Sequence, residues 1–292
     1  VLGDAPPDLP ARIAMDRDPD TLRVLTYNVL FNGLFRRQAE FARILHALSP
    51  DVLSLQEIRD HSAEDTRALV ARMVGGETWH VSEAGFIVSR YPITASGALG
   101  GKRSTAWALI SVPGADDAQD VLVINPMVPC CDQEEARQEA LDELAAWIRD
   151  ARTQETAVGR FLEPGTPVIV AGDLNLVGHS RQLRTVLEGT IAATDTFGPG
   201  RLPDGDGTPL ADAAPRHLTT RETYTWRGDD SPFAPGRLDF IIYTDSVLEL
   251  AKSFVLWTPD LDAETLDRAG LLPGDTMTAS DHLPVVADFT FR

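Results

Sequence analysis

The stretch PVIVAG at residues 167–172 constrains the fold more than any other part of the chain. It is a continuous apolar run, bounded by Pro167 and closed by Gly172 and Asp173, and too short for a typical buried helix. Such a run reads as a strand buried on both faces, so the sheet that holds it needs a layer above and a layer below. Other short apolar runs of the same kind recur: LRVLTYNVL (22–30), DVLSLQEI (51–58), 78–82, GFIVSR (85–90), ITASGAL (93–99), AWALISV (106–112) and VLVIN (121–125). RLDFIIYT (237–244), ELAKSFVLWT (249–258) and PVVADFTF (284–291) close the chain in the same manner. Helical spacing interrupts them near 36–48, where Phe41, Ile44, Leu45 and Leu48 share a face, near 63–74, and over 133–151. The last of these begins at Asp132 with Glu135 three residues on, a capping-box spacing.

Two strand-rich halves, each with flanking helices, predict an α/β chain of two packed sheets covered outside by helices. Residues 1–20, rich in Pro and Asp, read as a tail or linker, and 21–292 as one domain; 198–236, rich in Gly, Pro and Asp, reads as a long surface loop. No run approaches the length of a membrane-spanning helix. A formal net charge of −18 works against general nucleic-acid binding, because the surface repels a phosphate backbone. The basic clusters are thin: Arg36-Arg37, Lys102-Arg103, and Arg181 with Arg184. A monomer exported to the periplasm or the medium, with any leader removed, is the expectation for assembly and location.

The polar residues at the strand ends carry the chemistry. Asn28 follows RVLTY, Glu57 follows DVLSLQ, and Asp173 and Asn175 follow PVIVAG; Asp239 lies in RLDFII, and Asp281 and His282 precede the last strand. Singly, Asn28 or Asp239 reads as a turn residue. Glu57 is harder to dismiss, since Glu is a poor turn residue, and Asp239 within an apolar strand needs a partner if buried. Together they would assemble four carboxylates, two amides and an imidazole. An oxygen-rich cluster of that composition suits Mg²⁺ or Mn²⁺, with Ca²⁺ a further candidate, and a phosphate ester as substrate.

With these residues in view, TYNVLFNG (26–33), LSLQEI (53–58), GFIVSRYPI (85–93), VAGDLN (170–175), GRLDFIIY (236–243) and SDHLPVVADF (280–289) resemble the endonuclease/exonuclease/phosphatase superfamily in motif and order. The resemblance spans about residues 22 to 292. It implies a DNase I-like four-layer α/β sandwich and metal-dependent phosphoester hydrolysis, with a small or lipid-like ester as substrate; a DNA or RNA nuclease of the same fold is the alternative. It further implies Glu57 as principal metal ligand, with Asn28, Asp281 and Asp173 around it. Asp173 would orient or activate the attacking water, Asn175 would contact the scissile phosphate, and His282 would bind or protonate while Asp239 holds the imidazole. His179 and Arg103 are further substrate-binding candidates, and Arg90 reads as structural.

One position departs from the family. The strand VLVIN is followed by Pro126 and Met127, where the resemblance implies a His or Tyr that donates a hydrogen bond to the phosphate. A thioether donates none. Met127 leaves four readings open: an engineered substitution that traps substrate, a natural residue that meets an apolar group of the substrate, a different register in which Lys102 or Arg103 supplies the donor, or a degenerate relative without turnover. Cys130 and Cys131, the only cysteines, follow at once. They read as two buried or half-buried loop thiols, ahead of a vicinal disulfide or a reactive thiol site. His46, His61, His80 and His217 have no motif around them and read as structural.

Overall fold

The computed structural model describes every residue except 1–11, 77, 84–85, 100–104, 115–117, 153–157, 164 and 179. Its strands form two six-stranded sheets. The first contains β1 (Leu22–Asn28), β2 (Val52–Gln56), β3 (His80–Val81), β4 (Ile87–Ser89), β11 (Leu248–Val255) and β12 (Val285–Phe291), in the order β11-β12-β1-β2-β4-β3. The second contains β5 (Ile93–Ala98), β6 (Ala106–Val112), β7 (Gln119–Asn125), β8 (Val168–Asp173), β9 (Ala211–Asp212) and β10 (Asp239–Tyr243), in the order β5-β6-β7-β8-β10-β9. Each sheet has one parallel pair at its centre, β1 with β2 and β7 with β8, and antiparallel neighbours elsewhere.

Side-chain alternation explains the layering. In β1, Leu22 and Val24 face the second sheet, while Leu25 and Tyr27 face helices; in β8, Ile169 and Ala171 face the first sheet, while Val168 and Val170 face the opposite way. The inner core therefore lies between the sheets. One outer core joins the first sheet to α2 (Gln38–Leu48), which follows the short α1 (Gly33–Arg36), and to α3 (Ala63–Val74). The other joins the second sheet to α4 (Glu134–Ala151) and α5 (Ser180–Glu188). The α/β four-layer sandwich expected from the sequence is the fold observed.

The helices form for identifiable reasons. Helix α2 buries Phe41, Ile44, Leu45 and Leu48 on one face, at roughly 1.5–3 kcal/mol of transfer free energy each. That outweighs the side-chain cap missing at Arg37, worth about 1 kcal/mol. Helix α3 starts at Ser62, which forms a reciprocal capping box with Asp65. The box expected at Asp132 does not form: α4 starts one residue later, with Gln133 as an N-cap that makes no side-chain bond. The reason is local, because Cys130 and Cys131 are bonded to each other and Cys131 takes a left-handed backbone (φ 63°), which turns the chain before the helix begins. Helix α5, α6 (Thr194–Phe197), α7 (Ala263–Ala269) and α8 (Asp275–Ala279) lie outside the helices expected from sequence; all four are short.

At one end the sheets are tied by polar contacts. Ser54 Oγ donates to Ala171 O (2.6 Å), Gln56 Nε2 to Asn125 Oδ1 (2.8 Å), and Asn125 Nδ2 to Leu55 O (3.0 Å). Residues 198–236 form the expected long connection, broken only by β9, and it folds back onto this same end through Thr225 and Trp226. At the chain start, Ile13 N donates to Leu218 O (2.9 Å), and Ile13 and Met15 pack on the outer core.

Candidate active site

Where β1, β2, β8, β10 and the segment before β12 end together, a cleft of about 1340 Å³ opens. Glu57, Met127, Asp173, Asn175, Asp281 and His282 all line it. Asn28 lies beneath, fully buried, at the junction of the two sheets. Its Nδ2 donates to Glu57 Oε1 and to Asp173 Oδ2, both at 3.1 Å. One amide thus holds together a carboxylate from each sheet. Its oxygen meanwhile accepts from Leu30 N (3.1 Å), so Asn28 clamps the acids to the turn that follows β1.

Glu57 leaves β2 in the left-handed region (φ 62°), as do Leu30, Phe31 and Asn32 opposite it. The two turns interlock: Phe31 N donates to Glu57 Oε2 (3.1 Å) and Asn32 N to Glu57 O (3.0 Å). Four consecutive or facing residues with Cβ atoms in a sparsely populated region mark stored backbone strain, which is commonly found at functional sites.

Asp173 is buried and heavily bonded. Asn175 N donates to its Oδ1 (2.9 Å) and Asn175 Nδ2 to its Oδ2 (3.0 Å). The second hydrogen of the Asn175 amide goes to Val128 O (3.1 Å). Burial pushes the Asp173 carboxyl up; the His282 charge pulls against this and the Asp239 carboxylate adds to it, for a result of about 7.

His282 is the imidazole of the cluster. Its Nδ1 donates to Asp239 Oδ2 (2.9 Å), and its Nε2 stands 3.9 Å from Asp173 Oδ2. Burial alone would push the imidazole down, but the Asp239 and Asp173 carboxylates override it and hold the group protonated, at about 10. Asp239 thus finds the partner that its place inside an apolar strand demanded. Thr225 Oγ1 also donates to Asp239 Oδ2 (2.7 Å) while accepting from Leu238 N and Asp239 N. Asp281 Oδ2 accepts from Trp226 Nε1 (2.9 Å), whereas Asp281 Oδ1 is buried without a hydrogen-bond partner.

Met127 lines the cleft. It bridges to Asp173 beyond the end of the parallel β7–β8 pair, with Val128 N donating to Asp173 O (3.0 Å) and Asp173 N to Pro126 O (3.1 Å). The close approach needs Gly172, where a Cβ would fall 2.2 Å from Pro126 O. Cys130 and Cys131, expected as thiols of a buried loop, are instead joined in a vicinal disulfide, and both are exposed on the cleft rim. Beneath them buried Arg137 donates to Pro129 O (2.8 Å), fixing the rim from α4.

Among the other candidates, His179, Arg103 and Lys102 fall outside the described residues. Arg90 is structural as expected, donating to Pro50 O (3.1 Å) and lying over the Trp79 ring. Sequence reasoning missed Thr225, Trp226 and Gly172. A tryptophan inside a Gly-, Pro- and Asp-rich loop was the available signal for the first two. It also missed an apolar side to the cleft, where exposed Phe31, Val177 and Phe233 join Leu30, Leu176 and Leu183.

Residues 25–282 match the sequence model of the Endonuclease/Exonuclease/phosphatase family. No curated protein matches by sequence. Among solved structures, the human Nocturnin catalytic domain with bound sulfate is 17% identical, with a TM-score of 0.57, over 94% of this chain and 95% of that one. Truncated Caenorhabditis elegans TDP2 gives 17% identity and a TM-score of 0.57 over 93% of this chain and 98% of its own. Sphingomyelinase C from Streptomyces griseocarneus gives 18% and 0.53, over 92% and 99%. At these identities the likeness is one of fold.

Proposed function

The chain belongs to the endonuclease/exonuclease/phosphatase family, and on that premise we propose that it hydrolyses a small or lipid-like phosphoester with the help of a divalent metal ion. The observation that carries the reading is the Asn28 amide, which binds Glu57 and Asp173 at once and so gathers acids from both sheets beside the His282–Asp239 pair.

The residues fit a hard cation. Asp281 Oδ1 is a carboxylate oxygen shielded from water and without a donor, a costly arrangement unless a positive charge faces it. Glu57 adds a half-exposed carboxylate in the same cleft, and the donors are oxygens of the kind Mg²⁺ and Mn²⁺ prefer. Glu57 and Asp281 would hold the ion, and Asn28 would set the angle of Glu57. Bound there, the ion supplies charge neutralisation at the phosphate and a more acidic water.

The rest follows from side chains. Asp173, raised toward neutrality by burial, is matched to accept a proton from the attacking water. Asn175 spends both amide hydrogens on Val128 and Asp173, so it positions that base. His282, kept protonated and oriented by Asp239, presents Nε2 as a donor to a phosphate oxygen or the leaving group. Met127 and the apolar wall formed by Phe31, Val177 and Phe233 suit a substrate whose alcohol part is apolar. The acidic surface argues against a polynucleotide.

Hydrolysis of bis(p-nitrophenyl) phosphate, p-nitrophenyl phosphate and plasmid DNA, each with Mn²⁺ or EDTA, tests the reading. We expect turnover of the small esters that EDTA and Glu57→Ala abolish. Plasmid nicking at physiological salt that outpaces the esters would replace it with a nuclease. Silence on every ester, with metal still bound, would reduce the protein to a binding module.

A further inference from the structure

A second cluster of ligating side chains lies away from the cleft, on the connection that delivers Thr225 and Trp226 to it. His217, read from sequence as structural, is 1% exposed. Its Nε2 lies 2.9 Å from Tyr224 O, which can only accept, so Nε2 carries the proton and Nδ1 is left with a bare lone pair. Nδ1 is buried and has no hydrogen-bond partner. It faces Glu222 Oε2 at 4.0 Å, and one ligand atom each of His217, Glu222 and Asp260 lie within 4.8 Å of one another. Three acceptors therefore converge on a buried, unpartnered nitrogen, and the hydrogen-bond donor that reaches them is the Thr220 hydroxyl, 3.4 Å from Glu222 Oε2. An ion pair through a protonated His217 does not resolve this, since 4.0 Å is too long for a hydrogen bond.

We propose that His217 Nδ1, Glu222 and Asp260 form a binding site for one divalent transition-metal ion of the zinc class. An imidazole nitrogen with two carboxylates selects such an ion over Mg²⁺ or Ca²⁺. The backbone carbonyl of Tyr224 on the far nitrogen fixes the ligating tautomer, the usual outer support of a metal-bound histidine. With metal–ligand bonds of about 2.0–2.2 Å, tetrahedral ligands stand about 3.4 Å apart, so the carboxylates need to close by about 1 Å. Both acids are exposed and free to swing.

The ion would staple the 217–222 turn to Thr258–Asp260, which follows β11. The backbone already pairs there, with Val255 N donating to Arg216 O (2.9 Å) and the Tyr224 ring packed against His217 and Trp257. In the next two positions after Tyr224, Thr225 holds Asp239 and Trp226 holds Asp281. The staple would thus steady two side chains of the cleft without touching it.

The test uses the full chain with Glu57→Ala, Asp173→Asn and Asp281→Ala, which breaks the ligating groups of the cleft, including that of Asp173 with Asp239 and His282. Zn²⁺ is titrated by calorimetry, and Co²⁺ is followed by its visible absorption. We expect one equivalent of Zn²⁺, a Zn²⁺-dependent rise in melting temperature, and Co²⁺ bands of low coordination number. Adding Glu222→Gln with Asp260→Asn, both on exposed side chains that leave the core intact, should weaken Zn²⁺ at least about 10-fold and remove the melting shift. His217→Gln should abolish the Co²⁺ bands. Failure of the parent to bind Zn²⁺, or equal affinity with and without the two acids in folded protein, overturns the proposal. Neither result depends on the hydrolase reading.

Discussion

Met127→His should raise the rate of phosphodiester hydrolysis, and the hydrogen-bond inventory of the cleft sets how much. The Asn28 amide spends its hydrogens on Glu57 and Asp173, and the Asn175 amide on Val128 and Asp173. Among the described side chains at the cleft floor, that leaves His282 Nε2 as the ring N–H with no carboxylate in hydrogen-bond range. One missing donor aimed at developing charge costs about 2.7–4 kcal/mol, or 10²–10³ in rate. The backbone of residue 127 is already held by its bridge to Asp173, so an imidazole there starts from a fixed anchor. It would lack the carboxylate that orients His282, which places the expected gain at the lower end, about 10²-fold in kcat. The assay is steady-state hydrolysis of bis(p-nitrophenyl) phosphate in Mn²⁺, with melting curves to show equal folding. A gain confined to KM would mean that the new group binds substrate and transition state alike. An unchanged kcat in a folded variant would refute the claim that position 127 faces the phosphate.

Other substitutions probe the same frame. Asp239→Asn removes the acceptor that fixes the His282 tautomer and should lower kcat by up to about 10⁴-fold with little change in melting temperature; near-normal kcat would deny His282 its role. Asp288→Ala strands the buried Arg23 guanidinium, which donates to both Asp288 oxygens at 2.7 Å, and should destabilise the fold by about 3–5 kcal/mol in urea titration. A loss far smaller than this would mean that water or Asp51 takes over the pairing. Gly172→Ala should cost about 1–3 kcal/mol and displace the 126–128 segment, seen as a joint loss of stability and activity.

Strand ends were legible in the sequence because each acid or amide borders a short apolar run that is buried on both faces, and the two-sheet layering follows from PVIVAG having no polar face. What the sequence hid were relations between distant segments. Nothing near Asn28 says that its amide will point at Asp173, 145 residues on, and leave its oxygen to Leu30. Thr225 and Trp226 sit in a stretch whose composition says only loop, yet tertiary contacts carry both into the cleft. The capping-box spacing at Asp132 was genuine but lost to a stronger local constraint, the covalent turn of Cys130 and Cys131. His217 looked inert for a similar reason, since its two acidic neighbours include one 43 positions away.

The cross-sheet ties from Ser54, Gln56 and Asn125 bear on how such a scaffold can be re-engineered. Apolar faces alone permit two stacked sheets to slip by a residue, about 3.3 Å, with modest loss. Keyed polar pairs forbid that slip, because each displaced partner would be left stranded in the dry interior. Loops around the mouth, apart from the Thr225–Trp226 segment, can therefore be exchanged while the relative registry of Glu57 and Asp173 stays put.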